Sequence, residues 1–565
     1  MLSANWLRIS SFFLVSLVLA GCAGTNVAKS PDSGAQTDSA LPDDPNALVL
    51  GAEVALQRKQ YREAARAYVK AAQLTDDEAV AEQAARIAYE NQQWTLVMAA
   101  AERWLELNQT NEQARRFAAF ASLHLYQIDR AAEHLAFLLD SAFINPQAGY
   151  LALLPQLADE GSAPATTAVL QKLIIKHPDL AEAHYALGRA ALQSENLALA
   201  LEHAQRATEL APYWSRAGLF LGQMQQVHGD SDAGLATARK VLEQDPQDEY
   251  RLEYALMLMQ SGRDDEGRRE LAALAQSEST AAFAERALAD IDLQMGNREG
   301  AKQRYSNLLS SGRYVYESLF YLGAIAETRQ APDEAVQIYS RVTGGDLAIP
   351  AQLRAAIIKS REKGVKAGLD HLEEFASTRP QYALDVVIAR ANLLANNGDR
   401  AGALALLDSA LEQYPDAAEL RFARVFQLET ADQVDKAIAA LRELVKDRPG
   451  DPAATNALGY TLVDRTRNHR EGLRLIEDAL TVTPDSGAVL DSMGWALHRA
   501  KRNEDALVYL ERARNRINDP EVELHMTEVL LALGRKDEAH ATLKEAQERF
   551  PENAELKKRL ETLSN

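Results

Sequence analysis

Small and apolar residues recur along this chain with a period close to 34 positions. A small residue followed four positions later by Leu, Tyr, Ile or Ala returns at spacings of 33 to 35, at Ala200, Gly234, Gly267, Ala301, Ala335, Gly368, Ala403, Ala437, Gly472, Ala506 and Ala539. Within each period the apolar residues follow the i, i+3, i+4 spacing of amphipathic helices. The pattern predicts 11 units of two helices, and a weaker series near Ala64, Val97, Ala131 and Thr166 extends the total to about 15 helix pairs.

Proline and glycine mark the ends of the predicted helices. Pro380, Pro415, Pro449 and Pro484 follow one another at spacings of 35, 34 and 35 residues. Such prolines end the second helix of each unit, and a glycine ahead of that helix closes the turn in a left-handed conformation. A single helix pair cannot bury both its faces, so neighbouring pairs must stack. We expect an all-α solenoid over residues 47–551, with a more polar final helix at 552–565 that caps the last repeat.

The helix–turn–helix unit, its length and its A-x-x-x-[FYL] pattern resemble the tetratricopeptide repeat. HEAT and armadillo repeats, the other helical repeats of this kind, have longer periods. The resemblance covers nearly the whole chain. It implies a solenoid of stacked helix pairs that binds another protein through its concave face.

In the tetratricopeptide family that face is built from positions 2, 5, 9 and 12 of the first helices. Transferred to this chain, the resemblance implies a protein-binding groove lined by Tyr185, Arg189, Phe422, Phe426, Asn456, Tyr460, Asp491, Trp495 and His498. Exposed aromatic residues are enriched at binding hot spots. The alternative is that these aromatic side chains pack against neighbouring helices. The side chains of Asn456 and Asp491 are of the kind that bonds the backbone of an extended peptide.

Composition narrows the possible functions. The 565 residues contain 61 Lys and Arg against 81 Asp and Glu, a net charge of −20, whereas nucleic-acid binding needs a basic surface. A single cysteine excludes intramolecular disulfides and cysteine-based metal sites. The motifs of common hydrolases and nucleotide-binding loops are absent, and Ser360-Arg361-Glu362-Lys363 is interpreted as a solvated turn. We therefore expect no enzyme activity, no metal and no cofactor.

The N-terminus predicts export and lipid attachment. Residues 1–21 contain a short apolar run that ends at Leu19-Ala20-Gly21, directly before Cys22, the one cysteine of the chain. This arrangement resembles the lipobox of bacterial lipoproteins, which implies a lipid on Cys22 and removal of the signal peptide. Residue 23 is Ala and not Asp, which by the same resemblance implies anchoring in the outer membrane, facing the periplasm. Residues 22–46, rich in small and polar residues and proline, predict a flexible tether.

These features together resemble the tetratricopeptide-repeat lipoproteins of pseudomonads and their relatives, the LbcA-type partners of a carboxyl-terminal processing protease. The segments Leu490–Leu497 and Glu523–Leu530 carry much of this likeness. It implies a scaffold that activates the protease and presents substrates such as peptidoglycan hydrolases. The alternative is a scaffold for an outer-membrane secretion, pilus or exopolysaccharide-export assembly. In either case the membrane is contacted only through the lipid.

Overall fold

The structure, a computed structural model, describes residues 44–58, 60–277, 279–551 and 553–564. These residues form 31 α-helices and no β-strand, which confirms the all-α prediction and fits about 15 helix pairs. The first helix begins at Pro45, within the last residues assigned to the tether. The predicted signal peptide, the lipid on Cys22 and nearly all of the tether lie outside the described residues.

The helices fall into two compact units. The first unit comprises residues up to 178, the short piece 189–196 and residues from 411 onward. Its helices are α1 Pro45–Gln57, α2 Tyr61–Gln73, α3 Glu78–Glu90, α4 Trp94–Leu107, α5 Glu112–His124, α6 Ile128–Ser141, α7 Pro146–Glu160, α8 Ala163–Leu173, α23 Ala418–Thr430, α24 Val434–Asp447, α25 Pro452–Arg465, α26 His469–Val482, α27 Gly487–Arg499, α28 Asn503–Arg514, α29 Pro520–Ala532, α30 Lys536–Arg549 and α31 Ala554–Ser564.

The second unit comprises residues 179–188 and 197–410. Its helices are α10 Leu197–Leu210, α11 Ser215–Val227, α12 Ser231–Gln244, α13 Asp248–Gln260, α14 Asp264–Leu274, α15 Ala281–Gln294, α16 Arg298–Ser310, α17 Val315–Thr328, α18 Pro332–Tyr339, α19 Ala348–Lys363, α20 Val365–Ser377 and α21 Ala383–Asn396. Helices α9 Ala181–Gln193 and α22 Arg400–Gln413 contribute residues to both units. Short 3-10 turns lie at Ile174–Lys176 and Pro380–Tyr382.

Small residues hold the two helices of a repeat close together, as the sequence pattern predicts. In the pair α25 and α26, a Cβ at Gly472 would lie 2.6 Å from the carbonyl oxygen of Gly459, closer than real Cβ atoms approach. The alanines that occupy the same register elsewhere, such as Ala301, Ala437 and Ala506, are completely buried. Each helix pair packs on the next pair. The first helices of neighbouring repeats are also in contact: α25 contacts α27, and α27 contacts α29.

Many of the turns between the two helices of a repeat contain one residue with a positive φ. Glycine supplies it at several turns, including Gly296 and Gly534. At other turns a residue with a side chain adopts the same conformation, at Gln92, Tyr126, Glu195, Gln330, Asp432 and Lys501. A left-handed conformation costs an L-residue with a Cβ about 1–2 kcal/mol, so stacking of the flanking helices must hold these turns in place.

Within the described part of the chain, no helix has the length and apolar character needed to cross a membrane.

Candidate protein-binding face

Four successive first helices of the first unit carry aromatic and ionisable side chains at matching positions. Asn456, Asp491 and His525 occupy equivalent positions on α25, α27 and α29, at spacings of 35 and 34 residues. We use the name first-helix face for the following set: Phe422, Phe426 and Glu429 of α23; Asn456, Tyr460 and Asp464 of α25; Asp491, Trp495 and His498 of α27; and Glu521 and His525 of α29.

His525 stands at the centre of the first-helix face. Its Nδ1 lies 2.9 Å from Oδ1 and 3.1 Å from Oδ2 of Asp491, and both side chains are buried. The imidazole stacks on the indole of Trp495, with ring centroids 4.2 Å apart and an angle of 17° between the planes. The indole Nε1–H of Trp495 donates to Asp464 Oδ1 at 3.0 Å. Three neighbouring first helices are thus joined through one ring stack and two hydrogen bonds to carboxylates.

Further hydrogen bonds extend this network to both sides. The hydroxyl of Tyr460 donates to Glu521 Oε1 at 2.7 Å, across two repeats. The hydroxyl of Thr461 donates to Glu429 Oε1 at 2.6 Å and so ties α25 to α23. Asn456 Oδ1 is buried and has no hydrogen-bond partner among the described residues. An unpaired buried oxygen of this kind carries a desolvation cost.

Negative charge dominates the electrostatics of the first-helix face. Burial acts to lower the pKa of His525, but the hydrogen bond that His525 donates to Asp491 and the carboxylates of Asp491, Glu521 and Asp464 outweigh it and raise the pKa. Burial raises the pKa of Glu521, and the nearby carboxylate of Asp491 acts in the same direction. Burial likewise raises the pKa of Glu429, with Asp464 and Glu521 adding to it. Each shift favours the more positive protonation state.

Part of the face remains accessible. The side chain of Phe426 is 49% exposed, one of the more exposed large apolar residues among those described. Trp495 is partly buried and packs against the core of the last repeats. The face therefore combines fixed polar groups with accessible ring surface, which is the composition of protein-binding hot spots.

Comparison with known protein families agrees with the repeat pattern. Two family models, both described as tetratricopeptide repeat, match the chain: one at residues 394–459 and 497–560, the other at residues 166–213 and 286–348. These segments, which together make up less than half of the chain, are similar to the tetratricopeptide repeat. The matched ranges include α25 up to Gly459 and the helices α28 to α30, which border the first-helix face.

One relative is the TPR repeat-containing protein PA4667 of Pseudomonas aeruginosa PAO1. It is 34% identical over 209 residues, which is 37% of this chain and 35% of that protein. The chain thus matches about a third of the length of this relative.

Several solved structures are similar to this chain. The thermophilic protein TTC0263 of Thermus thermophilus is 22% identical, with 31% of this chain and 96% of that chain covered and a TM-score of 0.30. A repeat protein of Parabacteroides merdae is 16% identical, with 44% and 99% covered and a TM-score of 0.34. Yeast Tom70 is 15% identical, with 92% and 99% covered and a TM-score of 0.30.

Some of the predicted groove residues contact one another in the structure, and others are buried against neighbouring helices. Tyr460, Asp491 and Trp495 are joined through His525, and His498 stacks near Trp495 with ring centroids 5.2 Å apart. Phe422 is partly buried on α23 beside the exposed Phe426. By contrast, the two predicted residues on α9 do not belong to this network: Tyr185 is buried against Trp214 and Phe220, and Arg189 is partly buried.

Asp464, Glu521 and His525 belong to the network but were not among the groove residues predicted from the sequence. A signal for His525 was present, because it lies 34 positions after Asp491 and so repeats the same first-helix position in the next unit. Asp464 follows Tyr460 by four residues, one helical turn along the same face. Glu521 precedes His525 by four residues, again one helical turn along the same face, and it accepts a hydrogen bond from the hydroxyl of Tyr460 two repeats away.

Proposed function

We propose that this protein is a lipid-anchored periplasmic scaffold that binds another protein through its first-helix face. The observation that carries the proposal is the network around His525, which fixes Asp491, Trp495 and Tyr460 before any partner arrives. Fixed side chains lose less conformational entropy on binding, so more of the contact energy appears as affinity. Proteins of this repeat family typically act as scaffolds without enzyme activity of their own.

The partner we favour is a periplasmic carboxyl-terminal processing protease, with substrates such as peptidoglycan hydrolases delivered to it. The lipobox resemblance at Cys22 and the resemblance of Leu490–Leu497 to the pseudomonad lipoproteins support this choice. By the lipobox resemblance, Cys22 would carry three acyl chains. These would keep the scaffold at the outer membrane, since stable attachment needs only two anchoring signals. A scaffold of a secretion or polymer-export assembly is the competing possibility.

The test is a binding measurement between purified proteins. Residues 23–565, expressed without the signal peptide and without Cys22, are mixed with the carboxyl-terminal processing protease of the same bacterium. Complex formation is followed by calorimetry and light scattering, and peptidase turnover is measured with and without the scaffold. The proposal expects a complex and faster cleavage. If neither occurs, and the chain instead captures components of a secretion or polymer-export assembly, the competing assignment is correct.

A further inference from the structure

Turns of the N-terminal repeats contact loops of the C-terminal repeats within the first unit. Gln93, in the turn before α4, donates from Nε2 to the carbonyl oxygen of Gln413 at 2.8 Å. The backbone N–H of Thr95, the second residue of α4, donates to Asp416 Oδ2 at 2.9 Å. Gln93 provides no side-chain cap to α4, so a carboxylate from 321 residues away fills that role.

A second contact lies at the next turn, between α5 and α6. Arg448 donates from Nη1 to the carbonyl oxygen of His124, the last residue of α5. Its guanidinium carbon lies 5.4 Å from the ring centroid of Tyr126. Gly450 lies beside the same ring, since a Cβ added to it would be 3.9 Å from Cε1 of Tyr126. The two contacts match the helix dipoles: an acid meets the N-terminus of α4 and a base meets the C-terminus of α5.

Two more hydrogen bonds follow the same arrangement. The backbone N–H of Asp485, in the loop before α27, donates to the carbonyl oxygen of Glu195 at 3.0 Å. Arg62 donates from Nη1 to the carbonyl oxygen of Glu412. The loops after α22, α24 and α26 therefore each meet a turn of the N-terminal part of the first unit.

Two of the turn residues at these contacts, Tyr126 and Gln93, are buried. Other turn residues with the same positive φ, namely Gln330, Asp432 and Lys501, are exposed. Tyr126 has that conformation too, yet only 4% of its surface is accessible. Gln93 is 2% exposed although it is a polar turn residue. Burial and the carboxylate of Asp451, from the opposite loop, raise the pKa of the Tyr126 hydroxyl.

From these contacts we propose that the turns at 91–95 and 124–127 and the loops at 412–416 and 447–451 form a reversible clasp. Its contacts are hydrogen bonds and charge–dipole interactions, which are weaker and more sensitive to salt than an apolar core. Closing the clasp holds the N-terminal repeats against the C-terminal repeats. Opening it exposes Tyr126 and removes the partner of the Thr95 amide, so the clasp controls how far these repeats can separate when a partner binds.

Hydrogen exchange tests the clasp, because the Thr95 amide belongs to the first turn of a helix and has no acceptor within that helix. The mature chain without Cys22, residues 23–565, is compared with the variant that also carries Asp416→Asn and Arg448→Gln. The clasp predicts loss of protection in peptides that cover residues 93–97 and 124–128, with unchanged exchange in α25 to α29. A matched control neutralises another acid and base, Glu471→Gln with Arg442→Gln, which pair 2.7 Å apart in the C-terminal repeats. This control should leave the two peptides protected.

A salt titration of the chain that keeps Asp416 and Arg448 gives a second measurement, in case the double variant fails to fold. The Debye length falls from about 10 Å at 0.1 M salt to about 3 Å at 1 M. Protection at 93–97 and 124–128 should therefore fall with salt while the core peptides remain protected. The clasp is disproved if these peptides exchange freely at low salt, or if neither salt nor the double variant changes their exchange.

Discussion

At the scale of single residues, the pair of His525 and Asp491 decides the character of the first-helix face. A buried imidazole without an acidic partner loses its proton easily, as His134 and His371 illustrate: burial, with Arg115 beside His134 and Lys359 beside His371, lowers the pKa of each to about 4. Asp491 reverses this outcome at His525. An imidazolium held against Trp495 then also benefits from the electron-rich face of the indole.

The first prediction concerns the titration of His525. Because its folded-state pKa lies above the ordinary 6.5, its protonation stabilises the folded chain. That contribution is complete below the ordinary value and is lost as the pH rises through the raised value. Asp491→Asn should lower the pKa of His525 and remove the contribution. Nuclear magnetic resonance of the chain with labelled histidines measures the pKa of His525, with His525→Gln to assign its resonance. The free energy of unfolding as a function of pH measures its contribution to stability.

The resonance of His525 itself must be followed in this experiment. His134 and His371 act in the opposite direction, since their lowered pKa values make the folded chain less stable as the pH falls below 6.5. A pKa of His525 that is unchanged by Asp491→Asn would contradict the described pairing.

The second prediction separates two roles of Trp495. Removal of a fully buried Trp costs roughly 3–5 kcal/mol, and Trp495 is only partly buried, so Trp495→Ala should cost about 2 kcal/mol of local stability. Trp495→Phe keeps a ring beside His525 but loses the hydrogen bond to Asp464, at a cost of about 1–2 kcal/mol. Urea melts followed by circular dichroism measure both. Two variants that melt like the unmodified chain would show that the indole makes neither contact.

At the scale of helices and turns, the third prediction concerns the left-handed turns. Lys501 has φ +67° and is exposed, so Lys501→Gly should stabilise the pair α27 and α28 by about 0.5–1 kcal/mol. Gly534→Ala, at φ +77° in the next turn, should destabilise α29 and α30 by about 1 kcal/mol. Thermal melts of the two variants check the opposite signs. Shifts of the same sign would contradict this explanation of the turns.

The sequence predicted the repeat itself well, because each unit must solve the same packing problem. Gly472 and the buried alanines of its register are required by helices in contact, so the period survives in the sequence. Glycine at the turns was only partly predictive: Tyr126 and Glu195 adopt the same conformation, held by the stacked helices. The burial of Tyr126 depends on Arg448 and Gly450, which no local pattern connects to it.

The same distinction applies to the candidate site. Asp491 and Trp495 were found because a repeat position maps onto a face, and His525 follows from the same rule one unit later. Tyr185 occupies an equivalent position, but its ring is buried against Trp214 and Phe220. Position in the repeat therefore predicts which face a side chain is on, while its neighbours decide whether it remains accessible.

At the scale of the whole molecule, anchoring would determine where the scaffold acts. The fourth prediction is that Cys22→Ser abolishes labelling by an alkynyl fatty acid and leaves the signal peptide uncleaved, because the thiol that accepts the lipid is gone. Metabolic labelling followed by gel electrophoresis measures both. Equal labelling of the variant and the unmodified protein would show that Cys22 is not the site of lipidation.

The central claim is that the first-helix face carries the partner contacts, and Phe426 tests it most directly. Phe426 is 49% exposed, so its truncation should change the melting temperature little. Val508, on the second helix α28, is 56% exposed and lies outside the first-helix face, which makes Val508→Ala the matched control.

The measurement is the affinity for the carboxyl-terminal processing protease by calorimetry, with thermal melts of each variant. A hot-spot residue costs about 2 kcal/mol or more when truncated, which corresponds to an affinity loss of about thirtyfold. We predict that loss for Phe426→Ala, with an unchanged melt, and full affinity for Val508→Ala. If Phe426→Ala and Trp495→Ala both bind as tightly as the unmodified chain, the partner does not contact the first-helix face and the account is wrong.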